Sequence, residues 1–180
     1  MATFVLVHGG WHGGWCWKRV TPHLQAAGHV VYAPTLTGLG ERSHLASPEI
    51  NLSTHIQDIL NVLIYEDLTD VVLVGHSYSG MVIAGVADRV PERVTRLVYL
   101  DAFVPEEGQS LRDIFRPPYG EGVDLEALLV DGWRLPYPFL ERPFGITSEA
   151  DAQWVLDKIT PQPVNTLLEP VHFTNGGAPA

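Results

Sequence analysis

The chain has 180 residues, 46% of them hydrophobic, one cysteine and a formal charge of −10. This is enough apolar material for one globular domain, and the acidic balance argues against nucleic acid or an anionic membrane surface as partner. No apolar run reaches membrane-spanning length, the N-terminus reads straight into a strand, and the lone Cys16 cannot close an internal disulfide, so a cytoplasmic protein is expected.

Thr3 to Val7 is a near-continuous apolar run, read as a buried strand. It leads into His8-Gly9-Gly10-Trp11-His12-Gly13-Gly14-Trp15, whose glycines let backbone approach something closely. No Lys-Ser/Thr completes a phosphate loop, and the spacing is not that of a dinucleotide fingerprint. His8 and His12 flank glycines that break any helix, with no carboxylate nearby, so neither a metal nor another cofactor is expected. A His-Gly-Gly turn after an early strand suits an oxyanion loop instead, with the Gly10 N–H as one donor.

Trp15 to Ala27 reads as a helix with Val20, Leu24 and Ala27 on one face, ended by Gly28. Val30 to Pro34 is the second strand, and the following loop, Thr35 to Arg42, is read as structural. Thr54-His55-Ile56-Gln57 reads as a capping box. The helix it opens would turn Ile56, Ile59, Leu60, Leu63 and Ile64 to the core and leave His55 at the surface.

Val71-Val72-Leu73-Val74 is a β-branched apolar strand, followed by Gly75-His76-Ser77-Tyr78-Ser79-Gly80 and then the helical pattern Met81, Val82, Ala84, Val86, Ala87. A serine on a strand-to-helix turn with small residues two positions either side is the pattern of a nucleophile elbow. Such a turn strains the nucleophile's backbone and admits only small flanks. The helix N-terminus behind it favours the negative charge of acyl transfer, and Tyr78, the residue after the nucleophile, would supply the second oxyanion donor. The histidines 8, 12 and 76 belong to these turns and point away from a base's position. Arg96 to Leu100 is the fourth strand, and strands alternating with helices imply a parallel sheet with its chemistry at the strand C-termini.

Together, Phe4-Val5-Leu6-Val7-His8-Gly9-Gly10-Trp11-His12-Gly13-Gly14-Trp15 and Gly75-His76-Ser77-Tyr78-Ser79-Gly80 resemble the α/β-hydrolase superfamily. The likeness is greatest to its small esterase branch of plant methylesterases, hydroxynitrile lyases and bacterial salicylate-ester or pyrethroid-type hydrolases. It runs in register from Thr3 to about residue 105 and loosely beyond, with Ser79 standing where the family usually has glycine. The resemblance implies an α/β fold: a hydrolase core at 1–104, a helical cap at 105–173 rich in proline and aromatic residues, and a tail at 174–180 leading to strands outside this sequence. Helices are expected at Ser148 to Ile159 and Val164 to Leu168, and the aromatics Phe115, Tyr119, Trp133, Tyr137, Phe139, Phe144 and Trp154 would line an apolar pocket.

The implied activity is a serine hydrolase that cleaves small carboxylic esters through an acyl-enzyme on Ser77. In the family order the triad acid and histidine follow later strands. Here only His172 follows Ser77, and it is expected to be a surface residue. Asp101 reads either as the acid or as a buried carboxylate holding its loop. Two other readings stand beside the esterase. One is a hydroxynitrile lyase, although those members carry threonine where this chain has Gly9. The other is a catalytically silent binding domain. The Leu97–Leu100 strand would be an apolar edge, through which a homodimer could form.

Overall fold

The computed structural model describes residues 1–114, 125–137 and 145–176. Phe115, Tyr119, Phe139 and Phe144 lie outside them. Four strands, β1 (Thr3–Val7), β2 (Val30–Tyr32), β3 (Val71–His76) and β4 (Val94–Leu100), form one parallel sheet in the order β2-β1-β3-β4. Successive side chains of a strand point to opposite faces, and the apolar runs feed two cores accordingly. Val5, Val7, Val71 and Leu73 face a large cluster with the helices α2 (Leu52–Tyr65) and α3 (Ser79–Arg89). Leu6 and Val74 face the other way, against Trp17.

Helix α3 is buried along nearly its whole length, which explains its all-round apolar sequence. Gly85 lets it meet α2, because a Cβ there would lie 2.4 Å from Ile56 Cδ1.

Several helix expectations are corrected. The single helix expected from Trp15 to Ala27 is a 3₁₀ segment (Gly14–Arg19) followed by a short helix, α1 (Thr21–Ala26). Pro22 is the reason: it has no N–H to continue a helix and is favoured in a first turn. Val20 is 41% exposed and α1 buries none of its residues. Helix α2 starts earlier than expected, capped by Asn51, whose side chain accepts the Thr54 N–H at 3.0 Å. Ile64 is exposed, and His55, expected at the surface, is fully buried.

After β4 come the short helices α4 (Leu111–Ile114), α5 (Glu149–Leu156) and α6 (Asn165–Leu168). They accompany an antiparallel ribbon that the sequence reading missed, β5 (Arg134–Leu135) against β6 (Gln162–Pro163). Helix α5 stops three residues before the expected Ile159. It is tied to the N-terminal region by Trp154, which packs edge-on to Trp15 at 5.0 Å and lies under the Arg19 guanidinium at 4.8 Å. Near the other end of the chain, buried Asp88 on α3 accepts the backbone N–H groups of Thr174 and Asn175 at 2.6 and 2.9 Å.

Candidate active site

Strand β1 lies between β2 and β3, so the chain leaves its C-terminal end in one direction and returns on the other side. Open parallel sheets bind ligands at such a switch point, outside the strand C-termini. The Gly9-Gly10 loop follows β1, the Ser77 elbow follows β3, and Val7 pairs with Gly75 in the ladder, so the two motifs meet there. A Cβ on Gly9 would lie 3.2 Å from Ser77 Cβ, and one on Gly10 would lie 3.7 Å from Tyr78 Cβ.

Ser77 has φ +54, the left-handed conformation of a strained elbow, costing about 1–2 kcal/mol for a non-glycine residue. Two hydrogen bonds across to the end of β4 hold it there. Ser77 N–H donates to the Asp101 carbonyl at 3.2 Å, and Phe103 N–H donates to the Ser77 carbonyl at 3.1 Å. The flanks fit as the motif requires. A Cβ on Gly75 would stand 2.9 Å from the Ser79 carbonyl oxygen, and one on Gly80 only 1.9 Å from that of Phe103. Ser79, where the family usually has glycine, is fully buried, with its Oγ 2.8 Å from the Val7 carbonyl and 2.9 Å from that of His76. Its hydroxyl therefore ties the elbow to β1.

The oxyanion loop is fixed by its histidines. A carbonyl only accepts, so His8 carries its proton on Nδ1, which donates to the Gly9 carbonyl at 2.8 Å. His8 Nε2 then accepts the Leu36 N–H at 3.0 Å. His12 Nδ1 likewise donates to the Gly10 carbonyl at 2.7 Å. Burial pushes both rings down from 6.5, His8 to about 3 and His12 to about 4, so both are neutral. With the two glycine carbonyls pulled aside, the Gly10 N–H has no acceptor among the described residues, and neither has the Tyr78 N–H. Two adjacent backbone donors left unpaired in a buried corner call for an explanation.

His55 completes the local network. Its Nε2 donates to the Thr37 carbonyl at 2.9 Å, which leaves Nδ1 to accept the Tyr78 hydroxyl, also at 2.9 Å. Burial lowers its pKa to about 4 and raises that of the Tyr78 phenol. His55 thus anchors the residue after Ser77. The sequence carried a signal for its burial, though not for its partner, since positions 55 and 59 share a helix face and Ile59 points inward.

The remaining candidates are placed differently. His76 lies against Gly9, where a Cβ would be 3.0 Å from its Nδ1, with its ring 6.5 Å from Trp17. Burial lowers its pKa, against the opposing pull of Asp101. The expectation of a buried Asp101 carboxylate is corrected, because the residue is exposed and holds the elbow through its backbone. His172 is exposed and lies 3.0 Å from Glu107. It follows Val171, which packs near Gly85, and precedes the segment held by Asp88, so it sits beside the C-terminal half of α3 while Ser77 lies at the other end. About 14 Å of helix rise separates Ser79 from Asp88. A cavity of about 500 Å³ between β2 and α2 is lined by Tyr32, Arg42, Asp58 and Tyr65 and shares no residue with the elbow.

The alpha/beta hydrolase family model matches residues 4–178. The chain belongs to that family. It is 42% identical, over 99% of its length, to a carbendazim hydrolyzing esterase of Nocardioides sp., of which it spans 76%. It is 34% identical over 72% of its length to methylesterase 2 of Arabidopsis thaliana, and the match covers about half (48%) of that protein. Among solved structures, an extracellular alpha/beta-hydrolase from a Paenibacillus species superposes with a TM-score of 0.87 at 29% identity, covering 98% of this chain and 73% of the other. The parallel sheet with its flanking helices is thus the alpha/beta hydrolase fold.

Proposed function

We propose that this chain carries the nucleophile and oxyanion hole of a carboxylic-ester hydrolase. The observation that carries the reading is the pair of unpaired backbone donors, Gly10 N–H and Tyr78 N–H, beside a serine held at φ +54. Ser77 Oγ attacks the ester carbonyl carbon, the carbonyl oxygen becomes an oxyanion, and the two N–H groups hold it. Collapse expels the alcohol and leaves an acyl-enzyme, which water hydrolyses to release the acid. An oxyanion hole and binding alone account for roughly 10³–10⁴-fold over water in the serine-protease template. The rest requires a base. His8 has both ring nitrogens engaged, His12 is bonded to Gly10, His76 is packed against Gly9, and His172 lies along the far half of α3. None of these four histidines is placed as the base, and Asp101 is the acid candidate among the described residues.

Similarity to a carbendazim esterase and plant methylesterases supports small esters as substrates. Gly9 favours ester hydrolysis over the hydroxynitrile-lyase reading, because it offers no side-chain hydroxyl to a substrate where those members carry threonine. The test is labelling with a fluorophosphonate, read by intact mass, with and without imidazole as a soluble base. One adduct is expected, forming faster as imidazole rises and absent in Ser77→Ala. No adduct at any imidazole concentration, or the same adduct in Ser77→Ala, would overturn the proposal in favour of a silent binding domain.

A further inference from the structure

Among the described residues, the hydrogen bonds between the oxyanion loop and the segments after β4 run through Trp11. Its backbone N–H donates to Gln162 Oε1 at 2.9 Å, its carbonyl accepts the Thr160 N–H at 2.9 Å, and its indole N–H donates to the Leu135 carbonyl at 2.9 Å. Its ring meets Tyr137 edge-on at 5.5 Å. Gln162 is fully buried, and its amide is oriented from behind, with Nε2 donating to Thr166 Oγ1 at 2.7 Å. The Thr166 hydroxyl in turn donates to the Pro163 carbonyl at 2.6 Å and lies against the Tyr78 hydroxyl.

The Gly10–Trp11 peptide is thereby gripped at both ends, its carbonyl by His12 and its N–H by Gln162. It needs the grip. Trp11 is held at φ +64, so rotating this peptide by half a turn would return Trp11 to an ordinary negative φ at the expense only of a glycine ψ. The flip would turn the Gly10 carbonyl toward Gln162 Oε1, which, like Tyr78 Cβ, lies 3.7 Å from where a Cβ on Gly10 would stand. A carbonyl oxygen there would oppose the negative charge that the hole exists to stabilise.

We infer that Gln162, oriented by Thr166, is a positioning residue of the oxyanion hole, holding the Gly10–Trp11 peptide in the orientation that keeps the Gly10 carbonyl turned away from the hole. Gln162 and Thr166, four residues apart, reach both halves of the hole, one through Trp11 and the other through Tyr78. The ribbon is on this view part of the catalytic framework. The inference rests on the ester-hydrolase reading.

The experiment is the kinetics of fluorophosphonate labelling at fixed imidazole, resolved into the maximal labelling rate and the probe concentration at half-maximal rate. Gln162→Met keeps length and volume but removes the acceptor, and Gln162→Glu keeps an acceptor for the Trp11 N–H. Loss of one oxyanion donor lowers turnover about 10²–10³-fold, so a Gly10 carbonyl turned toward the hole in a large share of the molecules should lower the maximal rate of Gln162→Met by roughly 10–100-fold. The half-maximal concentration should stay within about twofold, and Gln162→Glu should recover most of the rate. Hydrogen exchange at the Trp11 amide should accelerate in Gln162→Met alone. If Gln162→Met does not fold, Thr166→Val, which removes the group orienting the amide, should show the same pattern more weakly. A wild-type rate in folded Gln162→Met or Thr166→Val, or a Gln162→Glu variant as slow as Gln162→Met, would overturn the inference and leave the esterase reading standing. A wild-type chain that takes no label would remove both.

Discussion

Three buried neutral histidines make the fold sensitive to mild acid. His8, His12 and His55 have pKa values lowered from 6.5 to about 3, 4 and 4, in each case chiefly by burial. The unfolded chain binds protons at these residues below about pH 6.5 while the folded chain does not, so stability is intact above that pH and is lost as the pH falls toward 4. At about pH 5.5 each unfolded histidine gains about 1.4 kcal/mol from protonation, and the three together remove about 4 kcal/mol, a large share of a typical 5–15 kcal/mol. The carboxylates with lowered pKa, Glu49, Glu107, Asp113 and Asp151, lose their contributions only below the ordinary carboxylate range, outside this window. Urea unfolding followed by tryptophan fluorescence at about pH 7.5 and pH 5.5 measures the difference directly. Equal stabilities at the two pH values, within about 1 kcal/mol, would refute the assignment of these rings as buried and neutral.

Two further predictions concern the elbow's neighbours. Ser79→Ala leaves the Val7 and His76 carbonyls without the hydroxyl that bridges them and should cost about 1–3 kcal/mol in urea unfolding. Gly80→Ala drives a Cβ to 1.9 Å from the Phe103 carbonyl, backbone that cannot swing aside, and should cost roughly 3 kcal/mol or more, read as a fall in melting temperature or a failure to fold.

The parts of this molecule legible in the sequence were those fixed by local pattern. Apolar β-branched runs located β1 and β3 because a strand buried on both faces has little freedom of composition. The elbow was legible because its steric demands fall on residues close in sequence: Gly75 and Ser79 stand two positions either side of Ser77. Partnerships between distant residues stayed hidden. His55 is buried because Tyr78 supplies a hydroxyl from another element, and nothing around position 55 announces that partner. Ribbon β5–β6 is two residues per strand, too short for any alternation to show, and one of those residues is a proline, which ordinarily argues against a strand. The 3₁₀ segment before α1 was the exception, a local signal passed over, since Pro22 marks the break.

Asp101 remains the residue whose two roles can be separated by experiment. It stands at φ +46, and its carbonyl accepts the Ser77 N–H, so its backbone extends the β3–β4 pairing one step past the strands and holds the nucleophile in place. Asparagine tolerates the left-handed region about as well as aspartate, whereas alanine does not. If the backbone is what matters, Asp101→Asn should label with fluorophosphonate at the wild-type rate and unfold at the wild-type urea midpoint, while Asp101→Ala should lose about 1 kcal/mol of stability. If instead the carboxylate orients a base, Asp101→Asn should slow labelling in the absence of imidazole while leaving imidazole-driven labelling unchanged. A base delivered from solution needs no orienting acid, so a slower imidazole-driven reaction in a stable Asp101→Asn variant would refute both roles and point to a direct electrostatic effect of the carboxylate on Ser77.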